Sequence, residues 1–327
     1  MSTIAVKAAQ LRSGLVLPYA EAGRAEGVPV VFVHGLADSW WMFESLLRQL
    51  PAALHGYAPT QRGHGDAGRP PDGYEPQDFA DDLVEFLDAV GIRRAVLVGA
   101  SSGGVAARLV AGSHPDRVAG LVLAGVPATL ADKPGAKALA EQVRKLGDPV
   151  PRDFVLELLG AVTARPLGRG LLATLATENL KVPARVWRET LRGLLETDLA
   201  ATLRGIVVPT LVLWGDADSI LPRADQERIV DTVLDARLVV YEGAGHALCW
   251  EEPERLVHDV AAFTAEVVRG RSAGAALRNR SAAGVLPDRP ADGVPPDGPG
   301  RPDGGVPDGG ALGEAGAPPS EGPSGSS

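Results

Sequence analysis

Short apolar runs rich in β-branched residues alternate with helix-length amphipathic segments along most of this chain, and that alternation restricts the fold more than any other feature. The runs are Val30 to Val33, Ala53 to Tyr57, Ala95 to Val98, Val118 to Leu123, Thr210 to Leu213 and Arg237 to Tyr241. Each is followed by a turn and usually by a helical pattern: Trp41 to Gln49, Pro76 to Val90, Gly103 to Gly112, Arg223 to Leu234 and Pro253 to Val268. Strands covered by helices on both faces read as continuous apolar runs, and a helix between two strands returns the chain for a parallel pairing. The order therefore predicts an α/β fold with a mostly parallel, doubly wound sheet. Residues around Ala5 and the run Leu15 to Glu21 predict an antiparallel hairpin at its edge.

The alternation lapses between about Val126 and Leu203. Apolar residues there recur at i, i+3 and i+4 in Ala136 to Leu146, Phe154 to Val162, Leu167 to Thr177 and Arg185 to Leu195, the spacing of helix faces. This stretch reads as a helical cap inserted into the sheet domain. The expected organisation is a core of residues 1–126, a cap of 127–204, the rest of the core in 205–270, and a tail of 271–327. In the tail Pro, Gly, Ala, Ser and Asp dominate, and Pro-Asp-Gly recurs at Pro296, Pro302 and Pro307. Such a segment buries too little apolar surface to offset the entropy of ordering, so it is predicted to be disordered.

Composition excludes several classes of partner. A formal charge of -9 speaks against a polyanion, since nucleic-acid binding needs clustered Lys and Arg. The single cysteine, Cys249, allows no internal disulfide and no cysteine-based zinc spacing, and suits a reducing compartment. The first residues mix Lys7, Arg12 and Ser13 among apolar ones, and no apolar run approaches membrane-spanning length. The expectation is a cytoplasmic protein with no membrane partner, either monomer or homodimer.

The strongest local signal is Gly99-Ala100-Ser101-Ser102-Gly103-Gly104, between the run Ala95 to Val98 and a helical pattern. This is G-x-S-x-G in a strand-turn-helix setting. A turn that sharp strains the serine backbone and needs small neighbours on either side. Ser101 Oγ would then stand at a helix N-terminus, where free N–H groups favour negative charge. A serine hydroxyl also needs a base, and histidine has the suitable pKa. Of six histidines, His246 sits just after the run Arg237 to Tyr241, at the sheet edge where ligands bind. His114 and His258 read as surface residues, His55 lies in or beside a strand, and His64 lies in a glycine-rich loop. A carboxylate to orient the imidazole is offered by Trp214-Gly215-Asp216-Ala217-Asp218, which leaves Asp216 and Asp218 both open. Acyl transfer further needs donors toward a developing oxyanion. After Val33 the turn His34-Gly35-Leu36 can supply the Leu36 N–H, and Ser102 N–H can supply the other.

Taken as an ordered set, these motifs resemble the α/β-hydrolase fold family from roughly Val30 to Val268: His34-Gly35, Gly99 to Gly104, Gly215-x-x-Asp218 with Pro222, and Gly245-His246 leading into Glu251-Glu252-Pro253-Glu254. The order Ser, Asp, His is that family's order. The resemblance implies that Asp218 is the triad acid, with Ser101 as nucleophile and His246 as base, and that the helical insert caps the pocket. It also exposes a departure: relatives often carry Asp-x-Arg-Gly-x-Gly where this chain has Thr60-Gln61-Arg62-Gly63-His64-Gly65. A serine at the nucleophile position points to acyl chemistry, whereas haloalkane dehalogenases and most epoxide hydrolases of the fold use Asp there.

The expected activity is hydrolysis of a carboxylic ester or lactone of a small to medium, moderately apolar molecule through an acyl-enzyme, with no metal or organic cofactor. His34, Gly35, Trp40, Trp41, Trp187 and Trp250 are the expected pocket walls. The slight positive excess of the cap, 12 Lys plus Arg against 9 Asp plus Glu between Leu130 and Gly205, reads as a solvated helix face. The same triad could instead support carbon-carbon bond hydrolysis, cofactor-free haloperoxidase or perhydrolase chemistry, or a lyase reaction. A ligand-binding sensor that keeps the fold is the non-enzymatic alternative.

Overall fold

A computed structural model of the chain describes residues 2–283, with the backbone alone over 271–283. Eight strands form one sheet: β1 (Ile4–Gln10), β2 (Val16–Gly23), β3 (Val28–Val33), β4 (Leu54–Pro59), β5 (Ala95–Ala100), β6 (Val118–Ala124), β7 (Thr210–Gly215) and β8 (Ala236–Tyr241). Their order is β1-β2-β4-β3-β5-β6-β7-β8. The first two strands form the expected hairpin, and β2 meets β4 antiparallel; every other pairing is parallel.

The central strands are buried on both faces because their side chains alternate between two helical layers. Val31, Val33, Leu97, Leu121 and Val212 pack against α2 (Pro76–Ala89), α3 (Ser102–Ser113) and α8 (Arg223–Thr232). Val30, Phe32, Val96, Val98 and Leu213 point the other way, onto α1 (Glu44–Arg48), α9 (Leu248–Glu251) and α10 (Pro253–Ala283). The segment expected as one helix from Trp41 begins instead as a 3-10 turn, Trp40–Phe43, whose N-cap is Ser39.

Between β6 and β7 lie α4 (Pro134–Arg144), α5 (Arg152–Ala161), α6 (Arg169–Leu180) and α7 (Ala184–Glu196). These four helices share a core of their own, with Val143, Val155, Leu159, Leu175 and Trp187 in it. Chain contacts hold the sheet and the cap in one unit that ends at Arg280. Helix α10 continues to Ala283, past the Arg271 at which the composition begins to change. Residues 271–283 contain Ala and Arg, good helix formers, and no Pro, so the helix has no reason to stop at that boundary. The remainder of the predicted tail lies outside the described residues. Among the described residues no helix is long and apolar enough to cross a membrane.

Candidate active site

Parallel pairing aligns the C-terminal ends of the central strands, and the loops leaving those ends carry every motif residue. Register places Val33 beside Gly99, so the turn after β3 meets the turn after β5. It places Gly215 beside Tyr241, so the loops that carry Asp218 and His246 leave the sheet together. Ala217 N–H donates to Ala244 O (3.0 Å) and ties those two loops.

Ser101 sits between β5 and α3 with φ +49 and ψ -124, a left-handed conformation that costs a non-glycine residue about 1–3 kcal/mol. Its neighbours make the turn possible. A Cβ on Gly99 would stand 2.3 Å from Gly104 Cα, and one on Gly103 would stand 2.2 Å from His34 O. The elbow is held by the Ser101 N–H, which donates to Ala124 O (3.0 Å). His246 Nε2 lies 3.1 Å from Ser101 Oγ, and His246 Nδ1 lies 2.9 Å from Asp218 Oδ2. The other Asp218 oxygen accepts from the N–H groups of Ile220 (2.7 Å) and Leu221 (3.0 Å), so its fully buried side chain cannot rotate away. Asp216 is exposed, and its Oδ1 accepts from Gly243 N–H (2.6 Å) as a turn residue does. A carboxylate, an imidazole and a hydroxyl in this order can pass the hydroxyl proton to the imidazole while the carboxylate keeps its tautomer.

The loop around His246 is clamped from two sides. Glu251, whose side chain is almost fully buried, accepts from Gly245 N–H (2.9 Å) and from Ala164 N–H of the cap (3.1 Å). Ala247 N–H donates to Val162 O (3.0 Å), a second tie between the histidine loop and the cap. On the opposite side Leu36 and Ser102 keep backbone N–H groups with no protein acceptor among the described residues. Ser102 opens α3, where first-turn N–H groups have no intrahelical partner.

The loop with Thr60 supports this turn despite lacking the expected aspartate. Thr60 Oγ1 accepts from Trp40 N–H (3.2 Å), and Gln61 N–H donates to His34 Nε2 (3.0 Å). Arg62 grips Asp82 of α2 with two hydrogen bonds of 2.6 Å and fixes the loop to that helix. His34 Nδ1–H donates to Gly35 O (2.8 Å), and burial pushes the ring down to about 3, so it stays neutral.

Ser101 and His246 open onto a cavity of about 130 Å³ between sheet and cap. Gly35, Leu36 and Trp250 line it, as do Met42, Leu158 and Asn179. The other expected wall residues do not reach it. His34 is wholly buried behind the turn it supports. Trp40 and Trp41 stack on one another, ring centroids 4.3 Å apart, and Trp40 packs on the sheet layer. Trp187 is the centre of the cap, fully buried and edge-on to Phe154. Trp187 is lost to the pocket by burial in the cap core, and Trp40 and Trp41, half-buried, are spent on each other.

One group in the cavity wall was not anticipated, Asp38. An Asp-Ser pair ahead of a helical turn reads as capping chemistry, but Ser39 alone caps: its Oγ accepts Trp41 N–H (3.3 Å). The remaining histidines have other partners. His55 bonds Glu21 and Tyr57, buried His64 donates to Arg62 O, His114 contacts Ser113, and His258 is exposed.

Comparison with known proteins agrees with this geometry. The alpha/beta hydrolase fold family matches residues 28–253. A non-heme chloroperoxidase of Streptomyces lividans is 30% identical over 269 residues, covering 75% of this chain and 94% of that protein. A pimeloyl-[acyl-carrier protein] methyl ester esterase of Aromatoleum aromaticum is 31% identical over 256 residues, covering 74% and 98%. Among solved structures, a thermophilic esterase from Thermogutta terrifontis superposes with a TM-score of 0.67 at 26% identity, covering 80% of this chain and 99% of that one. Fold, insert and match together make this chain a member of the α/β-hydrolase fold family.

Proposed function

We propose that the chain is a serine hydrolase that cleaves a carboxylic ester or lactone of a small, moderately apolar molecule through an acyl-enzyme on Ser101. The observation that carries this reading is the hydrogen-bonded series Asp218, His246, Ser101 opening onto a largely aliphatic cavity. Ser101 Oγ attacks the carbonyl carbon as its proton passes to His246 Nε2. The carbonyl oxygen becomes an oxyanion that the Leu36 and Ser102 N–H groups receive. The tetrahedral intermediate expels the alkoxide, which takes the proton from His246 and leaves as the alcohol. Water then attacks the acyl-enzyme, gives its proton to His246, and releases the acid as Ser101 recovers that proton. Asp218 accepts the Nδ1–H throughout and stabilises the imidazolium. A volume of about 130 Å³ is close to the ~150 Å³ apolar cavity that holds one benzene ring, which favours a short acyl group.

A second reading has one observation behind it, the likeness to a protein named as a non-heme chloroperoxidase. Hydrogen peroxide in place of water at the second step would give a peracid, which can oxidise halide.

The test is a panel of p-nitrophenyl esters and lactones, with wild type and Ser101→Ala, and fluorophosphonate labelling of both. Wild type should turn over short esters and be labelled at Ser101, and the variant should do neither. No turnover across the panel would end the esterase reading. Full activity in Ser101→Ala would remove Ser101 as nucleophile. Peroxide-dependent bromide oxidation well above ester turnover would favour the second reading.

A further inference from the structure

The cavity beside Ser101 is lined by no Lys or Arg, yet its wall includes a carboxyl group outside the Asp218, His246, Ser101 series. Asp38, only 6% exposed, stands in the turn that follows Leu36. Its Oδ1 accepts from Asn179 Nδ2 of cap helix α6 (3.2 Å), and the same amide nitrogen donates to Leu175 O (3.0 Å). Its Oδ2 has no hydrogen-bond partner among the described residues. That oxygen lies on the nucleophile's side of the turn: a Cβ built on Gly35 would be 3.9 Å from Asp38 Oδ2 and 3.3 Å from Ser101 Cβ.

Among the described residues no cation pairs with this carboxyl. Lys181, just past the end of α6, is engaged by Glu178 and Asp66. Burial pushes Asp38 up to about 7; the Asn179 amide opposes that rise, and the Glu178 charge adds to it. A buried polar oxygen without a partner is costly, and a ligand that donates to it removes the cost. Asn179 meanwhile holds Oδ1 of this cavity-wall carboxyl and leaves Oδ2 free for a ligand.

We propose that Asp38 and Asn179 form a recognition site for a hydroxyl group on the acyl part of the substrate, the hydroxyl donating to Asp38 Oδ2. This rests on the esterase reading and narrows it to hydroxylated acyl esters or lactones. A hydroxyl can pair with this carboxyl whether it is ionised or protonated. An acyl group that ends in a carboxylate would meet Asp38 in a wall that holds no Lys or Arg, so the site rejects it.

Binding to Ser101→Ala, which removes the reacting oxygen, tests the site apart from the chemistry. Calorimetry would compare methyl hexanoate with its 3-hydroxy and 6-hydroxy derivatives, each with and without Asp38→Leu. At least one hydroxylated ester should lose about tenfold in affinity relative to methyl hexanoate when Asp38 becomes Leu. Asp38→Asn keeps an acceptor oxygen and should retain most of the preference. A purely structural role for Asp38 would weaken all three ligands alike. Unchanged ratios in Asp38→Leu, or no binding by any of the three, would overturn the proposal. Failure of the esterase reading would show separately, as absent turnover by wild type.

Discussion

Replacing Asp38 by Asn should stabilise the protein at pH 8 and do so about fourfold less at pH 4.5. The folded carboxyl is pushed up to about 7 by burial, against 3.8 for the free group. The difference is about 3 units, and at ~1.36 kcal/mol per unit it amounts to about 4 kcal/mol. The sign follows from proton counting. Between pH 3.8 and 7 the folded state holds a proton that the unfolded state has released, so stability is full below that window and falls as pH rises through it. Asn carries no charge and keeps an oxygen for the Asn179 amide, so the variant escapes this loss. Water entering the cavity and local relaxation reduce the gain to about 1–3 kcal/mol. His34 and His64 are held low, at about 3 and about 4, and their contribution is lost at the acid end. They are common to both proteins and cancel in the difference. Urea unfolding at pH 4.5, 6 and 8, followed by tryptophan fluorescence, gives the stability gap at each pH. A gap independent of pH, or one larger at pH 4.5, would refute the assignment of an uncompensated carboxyl to that wall.

Five further substitutions, at four positions, separate roles that local sequence leaves mixed. Asp218→Asn should lower kcat on a p-nitrophenyl ester by about 10³–10⁴, while Asp216→Asn, which touches only the Gly243 turn, should leave kcat within about twofold. Arg108 is fully buried on α3 and donates to Pro127 O (2.7 Å) and Leu199 O (2.8 Å), the two ends of the cap insert. Arg108→Met strands Pro127 O, while Leu199 O keeps the Thr202 hydroxyl (2.8 Å), and should cost about 1–2 kcal/mol, read as a lower midpoint in urea; a midpoint equal to or above wild type would show that the buried cation is the larger burden. Trp187 Nε1 has no partner in the cap core, so Trp187→Phe should cost less than about 1.5 kcal/mol, whereas Trp187→Ala should cost about 3–5 kcal/mol. Equal losses in the two would mean that the indole N–H is bonded after all.

What could be read from the chain and what could not divides along sequence distance. The strand runs, the elbow around Ser101 and the turn at His34-Gly35 are each specified by neighbouring residues, because strand alternation and tight turns are constraints over a few positions. Gly99 and Gly103 are legible for that reason: the atoms they must avoid belong to the elbow itself and to the strand registered beside it. Asp216 and Asp218 stand two residues apart in one loop, and nothing local separates them. The choice is made from the loop after β8, where Gly243 N–H draws Asp216 into a turn and His246 Nδ1 meets Asp218 Oδ2. The cavity wall is harder still, since a helix face reveals that a residue is apolar and not whether it looks inward to the cap or down onto the sheet. Trp187 and Leu158 both lie on cap helices, and only packing among the helices sends the first into the cap core and the second to the cavity. Asp38 is the extreme case. Its character depends on an amide 141 residues away, brought over it by the cap, so a residue that reads locally as a solvated turn aspartate becomes a buried, half-satisfied acid. In this chain the triad geometry is therefore legible in short motifs at strand ends, while the cavity wall is set by contacts between sheet and cap that no local pattern encodes.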